Sequence, residues 1–339
     1  MKVFVTGAAG FIGSHLSRRL VAEGHEVLGY DGVTPYYDVK LKRARLALLH
    51  DEPRFSFVEA MLEDRAALER VVFGFEPDVI VHLAAQAGVR YSLENPASYI
   101  STNVVGTFNL LEVCRALKPS HVLLASTSSV YGANESLPFA ETDRTDFPVS
   151  IYAATKKAGE ALSHSYSHLF DIPTTNFRFF TVFGPWGRPD MALFKFVSSM
   201  RRGEAIEVYG EGRMKRDFTY IDDLVTSIVA LMGAVPQRGH PVAVPGVVDS
   251  LSPVAPWRVV NIAGGGSVGL LDFIEAIEAA TGLTARKTML PIQPGEMVDT
   301  FADARLLEAL TGFLPRTPVA EGVRRFVDWH DEWTQTRSE

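Results

Sequence analysis

Gly7-Ala8-Ala9-Gly10-Phe11-Ile12-Gly13, set between the β-branched run Val3 to Thr6 and an amphipathic stretch from Ile12 to Glu23, decides how this chain folds. Small residues let the backbone turn sharply and approach a pyrophosphate, and the helix opening there offers unpaired N–H groups to its charge. Three glycines alone are a weak signal. Gly264-Gly265-Gly266 also follows a strand pattern, Val259 to Ile262, and precedes a helix with Ser267 placed as an N-cap; there the pattern predicts only a tight turn. The first triplet has a context. A second strand pattern, Glu26 to Tyr30, ends at Asp31, where a carboxylate accepts hydrogen bonds from adenosine ribose hydroxyls. The same carboxylate repels a 2′-phosphate, so the expected cofactor is NAD rather than NADP.

Outward from this unit, short β-branched runs alternate with longer helical patterns. Strands are expected at Phe55 to Val58, Val79 to Leu83, His121 to Ser126 and Thr174 to Phe179, and helices at Ala66 to Val72, Pro96 to Leu117 and Tyr152 to Phe170. Such alternation specifies α/β architecture: a doubly wound parallel Rossmann-type sheet, with ligands beyond the carboxyl ends of its strands. After Phe180 the rhythm loosens around Pro185 and Pro189, then resumes as a helix from Ala192 to Arg202 and a strand from Ile206 to Tyr209. Residues 1-180 are therefore expected to form the nucleotide-binding domain, with later contributions near 217-234 and 257-264. Residues 181-339 would mainly form a smaller C-terminal substrate lobe. Val235 to Pro256, rich in proline, glycine and valine without a period, reads as an irregular surface insertion.

Composition bounds the function. The 339 residues are 47% hydrophobic and 22% charged, so a large core can be buried without crosslinks or metals, and no metal site is expected. A formal charge of -7 without a long Lys/Arg block argues against nucleic acid as a partner. No run approaches a membrane-spanning length, and glycines interrupt the apolar start before a signal-like region forms. The one cysteine, Cys114, lies in a helical apolar pattern and reads as a buried thiol in a reducing, cytoplasmic setting.

Tyr152 and Lys156, four residues apart in a helical stretch, share a face, so an ammonium can lower the phenol pKa and make a general base available. Tyr36 and Lys40 repeat the spacing in an expected loop, and that pair reads as surface. Only the first pair is preceded by hydroxyls at a strand end, Ser126-Thr127-Ser128-Ser129, where they would bond a reacting oxygen.

From Met1 to about Arg305 the chain resembles extended short-chain dehydrogenases/reductases, in particular NAD-dependent sugar-nucleotide epimerases. The resemblance is carried by the G-x-x-G-x-x-G loop, His82-Leu83-Ala84-Ala85-Gln86-Ala87, Asn103 with Thr107, and the Ser/Thr-Tyr-Lys triad. It implies that Gly7, Gly10, Phe11, Ile12, Gly13, Asp31, Leu83, Ala84, Ala85, Asn103, Ser126, Tyr152, Lys156 and Phe179 contact NAD. Met61-Leu62 would cover the adenine, although family members usually carry Asp where Met61 stands. Counting back from Val130-Tyr131-Gly132, Thr127 matches the catalytic hydroxyl, with Ser128 and Ser129 as substrate donors.

Within the family, Gln86-Ala87-Gly88-Val89-Arg90-Tyr91-Ser92 and Arg178 to Met191 resemble UDP-glucuronate 4-epimerases most. Arg188 would then pair with the sugar C6 carboxylate, with Thr181 and Arg90 beside it. Arg216 matches a diphosphate-binding arginine, Val208 and Tyr209 lie where uracil packs, Gln293 replaces a further diphosphate arginine, and Glu296 would accept from the uridine ribose. A UDP-sugar is the expected small-molecule partner, and a homodimer through Pro96 to Leu117 and Tyr152 to Phe170 is implied. Ser128 and Ser129 stand where dehydratases carry Asp and Glu, which disfavours dehydration; Ser129 also replaces the Glu usual in UDP-glucuronate decarboxylases. UDP-glucose/UDP-galactose 4-epimerization, decarboxylation and a nucleotide-sensing binding protein without turnover remain the alternatives.

Overall fold

In a computed structural model, which describes residues 1–264, 266–293 and 297–335, the expected alternation is realised from the first strand. Lys2–Thr6 (β1) leads into Phe11–Ala22 (α1), and Glu26–Asp31 (β2) into Val39–Ala47 (α2). Phe55–Glu59 (β3), Arg65–Phe75 (α3) and Val79–His82 (β4) follow, then two short helices, Tyr91–Glu94 (α4) and Pro96–Tyr99 (α5). Thr107–Leu117 (α6), His121–Thr127 (β5), Ile151–Phe170 (α7) and Thr174–Phe179 (β6) complete the first half.

Among the described residues, seven strands form one parallel sheet in the order β3-β2-β1-β4-β5-β6 followed by Trp257–Ile262, which joins beside β6 from the distal half of the chain. The order reverses between β1 and β4, so a crevice opens there beyond the strand ends. Both faces are buried because successive side chains point to opposite sides: Val3 and Val5 enter one core with Leu16 and Leu20, while Phe4 enters another with Leu68, Leu110 and Cys114. Cys114 is fully buried, and desolvation pushes its thiol up to about 12.

The second half holds Thr181–Phe183 (β7), Ala192–Arg201 (α8), Ile206–Tyr209 (β8), Lys215–Tyr220 (β9) and Ile221–Gly233 (α9). Beyond the sheet strand Trp257–Ile262 (β10) come Ser267–Gly269 (β11), Leu270–Thr281 (α10), Lys287–Leu290 (β12), Asp299–Thr300 (β13), Arg305–Thr311 (α11) and Val319–Gln335 (α12). Two small sheets, β9 with β7, β11 and β13, and β8 with β12, build the wall opposite the crevice. No regular element lies between α9 and β10, as expected of 235-256; Asp249 organises that stretch by accepting from Val242 N, Leu251 N and the buried Arg258.

Two local expectations fail for identifiable reasons. The helix expected from Pro96 to Leu117 is interrupted by a π-helical stretch, Ile100–Gly106. The wider turn lets Asn103 reach sideways to the β4 loop and brings Gly106 so near Leu62 that an added Cβ would lie 2.7 Å from its Cβ. Ser267 caps no helix: it pairs with Asp217 in β11 and donates to Asp299 Oδ1 at 2.8 Å, and Gly269 precedes α10.

Candidate active site

A cleft of about 1230 Å³ runs from the glycine loop, over the ends of β1, β4 and β5, to the wall formed by β8 and β9. This is room for a dinucleotide and a second nucleotide-sized ligand together. At its floor Gly7 adopts φ +75°, and an added Cβ would stand 2.8 Å from Ala84 N. The loops after β1 and β4 therefore touch at the switch point. A Cβ on Gly13 would strike the Gly7 carbonyl oxygen, which already accepts from Gly10 N at 2.9 Å. These positions fit a phosphate-bearing ligand drawn close to the backbone, the geometry a dinucleotide needs.

Asp31 closes this end. Its Oδ2 accepts from Ala9 N at 3.1 Å and its Oδ1 from Val33 N at 2.7 Å, so the carboxylate braces the glycine loop while lining the cleft. Burial raises its pKa, opposed by the Lys42 ammonium. Phe11, Ile12, Met61, Leu62, Leu83, Ala84 and Ala85 also line the cleft, as does Phe179 at the end of β6. Asn103 does not line the cleft: it accepts from Gln86 N at 2.8 Å and donates to Gln86 O and Thr155 Oγ1, both at 3.0 Å. It clamps the β4 loop to α7, so its part in holding a cofactor is indirect.

Ser150 begins α7 by accepting from Ala153 N at 3.1 Å, and the helix then presents Tyr152 and Lys156 on one face, opposite Thr127 at the end of β5. Burial raises the Tyr152 pKa; the downward pulls come from the Thr127 hydroxyl and the Arg188 charge. The sequence reading assigned that pull to Lys156. Lys156 is itself lowered to about 8 by burial, with Glu160 holding it up, so its own charge is already costly in this pocket. Ser126 lines the cleft, but its hydroxyl turns away and donates to Glu160 Oε1 at 2.6 Å.

Ser128 and Ser129 follow Thr127 and line the cleft beside it, Thr127 Oγ1 accepting from Ser129 N at 3.2 Å; Thr181 and Arg188 line the same cleft. Arg90 lies 4.2 Å over the Tyr209 ring, so the β4 loop reaches the β8 wall. Arg216 lines the cleft and donates from Nη1 to Lys215 O at 2.8 Å and Val298 O at 3.1 Å. Val208 does not reach the cleft. It is fully buried in the core, whereas Ile206, Glu207 and Tyr209 of β8 all line the cleft. Gln293 is half-buried outside the cleft lining, and Glu296 falls outside the described residues.

Several site residues had no reading in the sequence. Tyr36, read there as surface, lines the cleft and donates to Asp190 Oδ2 at 3.2 Å; the apparent Tyr36/Lys40 pair never shares a helix face, because α2 begins at Val39. Asp190 holds Arg188 through Nε at 3.0 Å and Nη2 at 2.5 Å. Arg45 is fully buried and donates to Ala9 O, Tyr37 Oη, Trp186 O and Gly187 O, tying the glycine loop to the turn that carries Arg188. The available signal was Tyr36-Tyr37 followed by Lys42 and Arg45, an unusually aromatic and cationic run for a loop.

Among the described residues no three His, Cys, Asp or Glu side chains are placed to hold a metal ion, and no helix is long and apolar enough to cross a membrane.

A model of the NAD dependent epimerase/dehydratase family matches residues 3–244. The chain is 58% identical over 332 residues to a probable UDP-glucuronate 4-epimerase of Rhizobium meliloti (strain 1021), covering 98% of this chain and 97% of the relative. It is 42% identical to UDP-glucuronate 4-epimerase 1 of Arabidopsis thaliana, covering 97% of this chain and 76% of that protein. Among solved structures it matches UDP-glucuronic acid 4-epimerase from Bacillus cereus in complex with UDP-glucuronic acid and NAD, with TM-score 0.87 and 33% identity over 98% of this chain and 100% of that one.

Proposed function

The chain belongs to the NAD dependent epimerase/dehydratase family, and from that premise we propose that it is an NAD-dependent enzyme interconverting UDP-glucuronate and UDP-galacturonate at C4 through a 4-keto intermediate. Gly7, Gly10, Gly13 and Asp31 hold the cofactor's adenosine diphosphate end, and Lys156 lies at its nicotinamide ribose. When bound, NAD supplies a reversible hydride acceptor for C4. Tyr152 removes the proton of the 4-hydroxyl and returns it, and Thr127 holds that oxygen so the phenol and the carbinol stay aligned. Arg188, with Thr181, takes the C6 carboxylate; Ser128 and Ser129 bond the ring hydroxyls; Arg216 faces the diphosphate, and Tyr209 the uracil.

One observation carries the glucuronate reading. Arg188 and Tyr152 line the same cleft, and the Arg188 charge helps draw the Tyr152 phenol down, so a cation suited to a carboxylate stands near the phenol proposed as the base. A neutral 6-hydroxymethyl group lacks the paired acceptor oxygens that a guanidinium's directed donors match. The test is incubation with UDP-glucuronate, UDP-glucose and UDP-xylose separately, followed by chromatography of the sugar epimers. Epimerization of UDP-glucuronate alone, or far above the others, is expected; equal turnover of UDP-glucose would move the assignment to the UDP-glucose/UDP-galactose alternative.

The seven-stranded sheet and its helices form the cofactor domain in this reading, and the two small sheets with α8, α10 and α12 form most of the substrate lobe. The enzyme works as a homodimer: Ile100, Val105, Phe108 and Leu169 expose apolar side chains along the helices assigned to that contact. Its place is the cytoplasm, a setting that suits one buried thiol. Sedimentation as a monomer at working concentration would reject the dimer.

A further inference from the structure

We propose that Asp190 and Tyr36 are positioning residues which lock the Arg188 guanidinium into a directed, charge-compensated donor, so that the substrate's carboxylate is recognised by geometry more than by net charge. The proposal rests on the glucuronate reading above. A guanidinium offers two donor edges. Asp190 occupies the Nε/Nη2 edge with two bonds of 3.0 and 2.5 Å, which fixes both the position and the plane of the group; in the proposal the substrate's carboxylate is taken on the Nη1 side.

The lock has a third member. Tyr36 lies under the guanidinium, its ring centroid 5.8 Å from the central carbon, and its hydroxyl donates to Asp190 Oδ2 at 3.2 Å. Burial pushes the Tyr36 phenol up to about 12, so it stays a neutral donor. Its own freedom is small. The ring packs against Tyr91 at 4.8 Å between centroids, and a Cβ on Gly88 would lie 2.7 Å from its hydroxyl. The segments that bring Tyr36, Gly88 with Tyr91, and Arg188 with Asp190 thus converge on one guanidinium from three parts of the chain.

Charge explains why a carboxylate is built in beside a carboxylate-binding arginine. Lys42 and Arg45 both feel the Arg188 charge and are offset by Asp31, so without Asp190 the Arg188 cation would stand uncompensated beside them. With Asp190 in place Arg188 is compensated, and what remains is directional donation, which a correctly placed C6 carboxylate satisfies.

The experiment uses the NAD-loaded enzyme and two variants, Asp190→Asn and Tyr36→Phe, with kcat and KM measured on UDP-glucuronate and calorimetric binding of UDP-glucuronate and UDP-glucose. Asp190→Asn should leave UDP-glucuronate binding equal or tighter, because a cation is released, while kcat falls about 10-fold to 10²-fold, the loss expected when a positioned group drifts by about 1 Å. UDP-glucose binding should not change, and Tyr36→Phe should move kcat the same way by less. Equal weakening for both ligands with a lower melting temperature would make Asp190 a loop brace and overturn the proposal, and so would an unchanged kcat. Failure of the unmodified enzyme to epimerize UDP-glucuronate would instead refute the function from which the proposal starts.

Discussion

Glu160→Gln tests the support behind the candidate triad. The Glu160 carboxylate is 1% exposed and accepts from Arg178 Nε and Nη2, both at 2.9 Å, and from Ser126 Oγ at 2.6 Å, with Lys157 Nζ at 3.6 Å. The amide keeps the shape and one acceptor but removes the charge, leaving the 3% exposed Arg178 guanidinium uncompensated. Breaking a buried pair on one side costs about 3–5 kcal/mol. For a chain of this size that corresponds to a fall in melting temperature of roughly 4–7 °C. Glu160 also holds up the Lys156 pKa, which burial has lowered to about 8. Without the carboxylate it falls further, so Lys156 loses its proton at lower pH and the alkaline limb of kcat/KM moves toward neutrality. Thermal unfolding of the NAD-loaded enzyme and the pH profile of epimerization are the assays. The double variant Glu160→Gln/Arg178→Met should regain much of the stability, because no buried charge is stranded, yet keep the shifted limb. Melting within a degree of the parent, together with an unmoved pH profile, would refute the reasoning.

Tyr152→Phe removes the proposed base with little change in volume, and turnover should fall by about 10² to 10⁴ while NAD stays bound and the fold persists; near-normal turnover would move the chemistry elsewhere, and Thr127→Val should be milder. Oxidation at C4 makes UDP-glucuronate a β-keto acid, whose C5–C6 bond breaks with its electrons passing into the C4 enolate, carbon dioxide leaving and C5 taking a proton. Arg188→Lys should therefore raise carbon dioxide released per epimer formed, measured as trapped gas and epimer in one reaction; an unchanged ratio would reduce Arg188 to a binding residue. Protein purified without added cofactor should carry NAD, since each cycle regenerates it, and the supernatant after denaturation should contain it in near-stoichiometric amount. Asp31→Asn should lose NAD selectivity over NADP, read by competitive binding of the two, because the charge that repels a 2′-phosphate is gone.

Much was legible before any coordinates. A parallel strand buried on both faces must be an apolar run, and a crossover must be a helix, so the order of elements through β6 and the place of the ligand crevice follow from local pattern. The glycine loop, Asp31, Thr127, Tyr152 and Lys156 were legible for the same reason: each depends on spacing within one unit or on its place at a strand end. Val208 lies outside the cleft lining although Ile206, Glu207 and Tyr209 belong to it, a difference that the pattern of β8 alone did not show. What needed the tertiary structure was every relation between distant segments. Tyr36 and Asp190 meet although 154 positions separate them, and Arg45 bonds Trp186 O across 141. A side chain in a loop carries no periodicity to mark the face it presents, and a buried charge or hydroxyl looks like a solvated one until its partner is folded against it. The sequence by itself determined the fold class and the placing of the glycine loop and the Tyr152/Lys156 pair at one cleft, because these are local geometry; the setting of Arg188 was decided only when packing brought distant segments around one guanidinium.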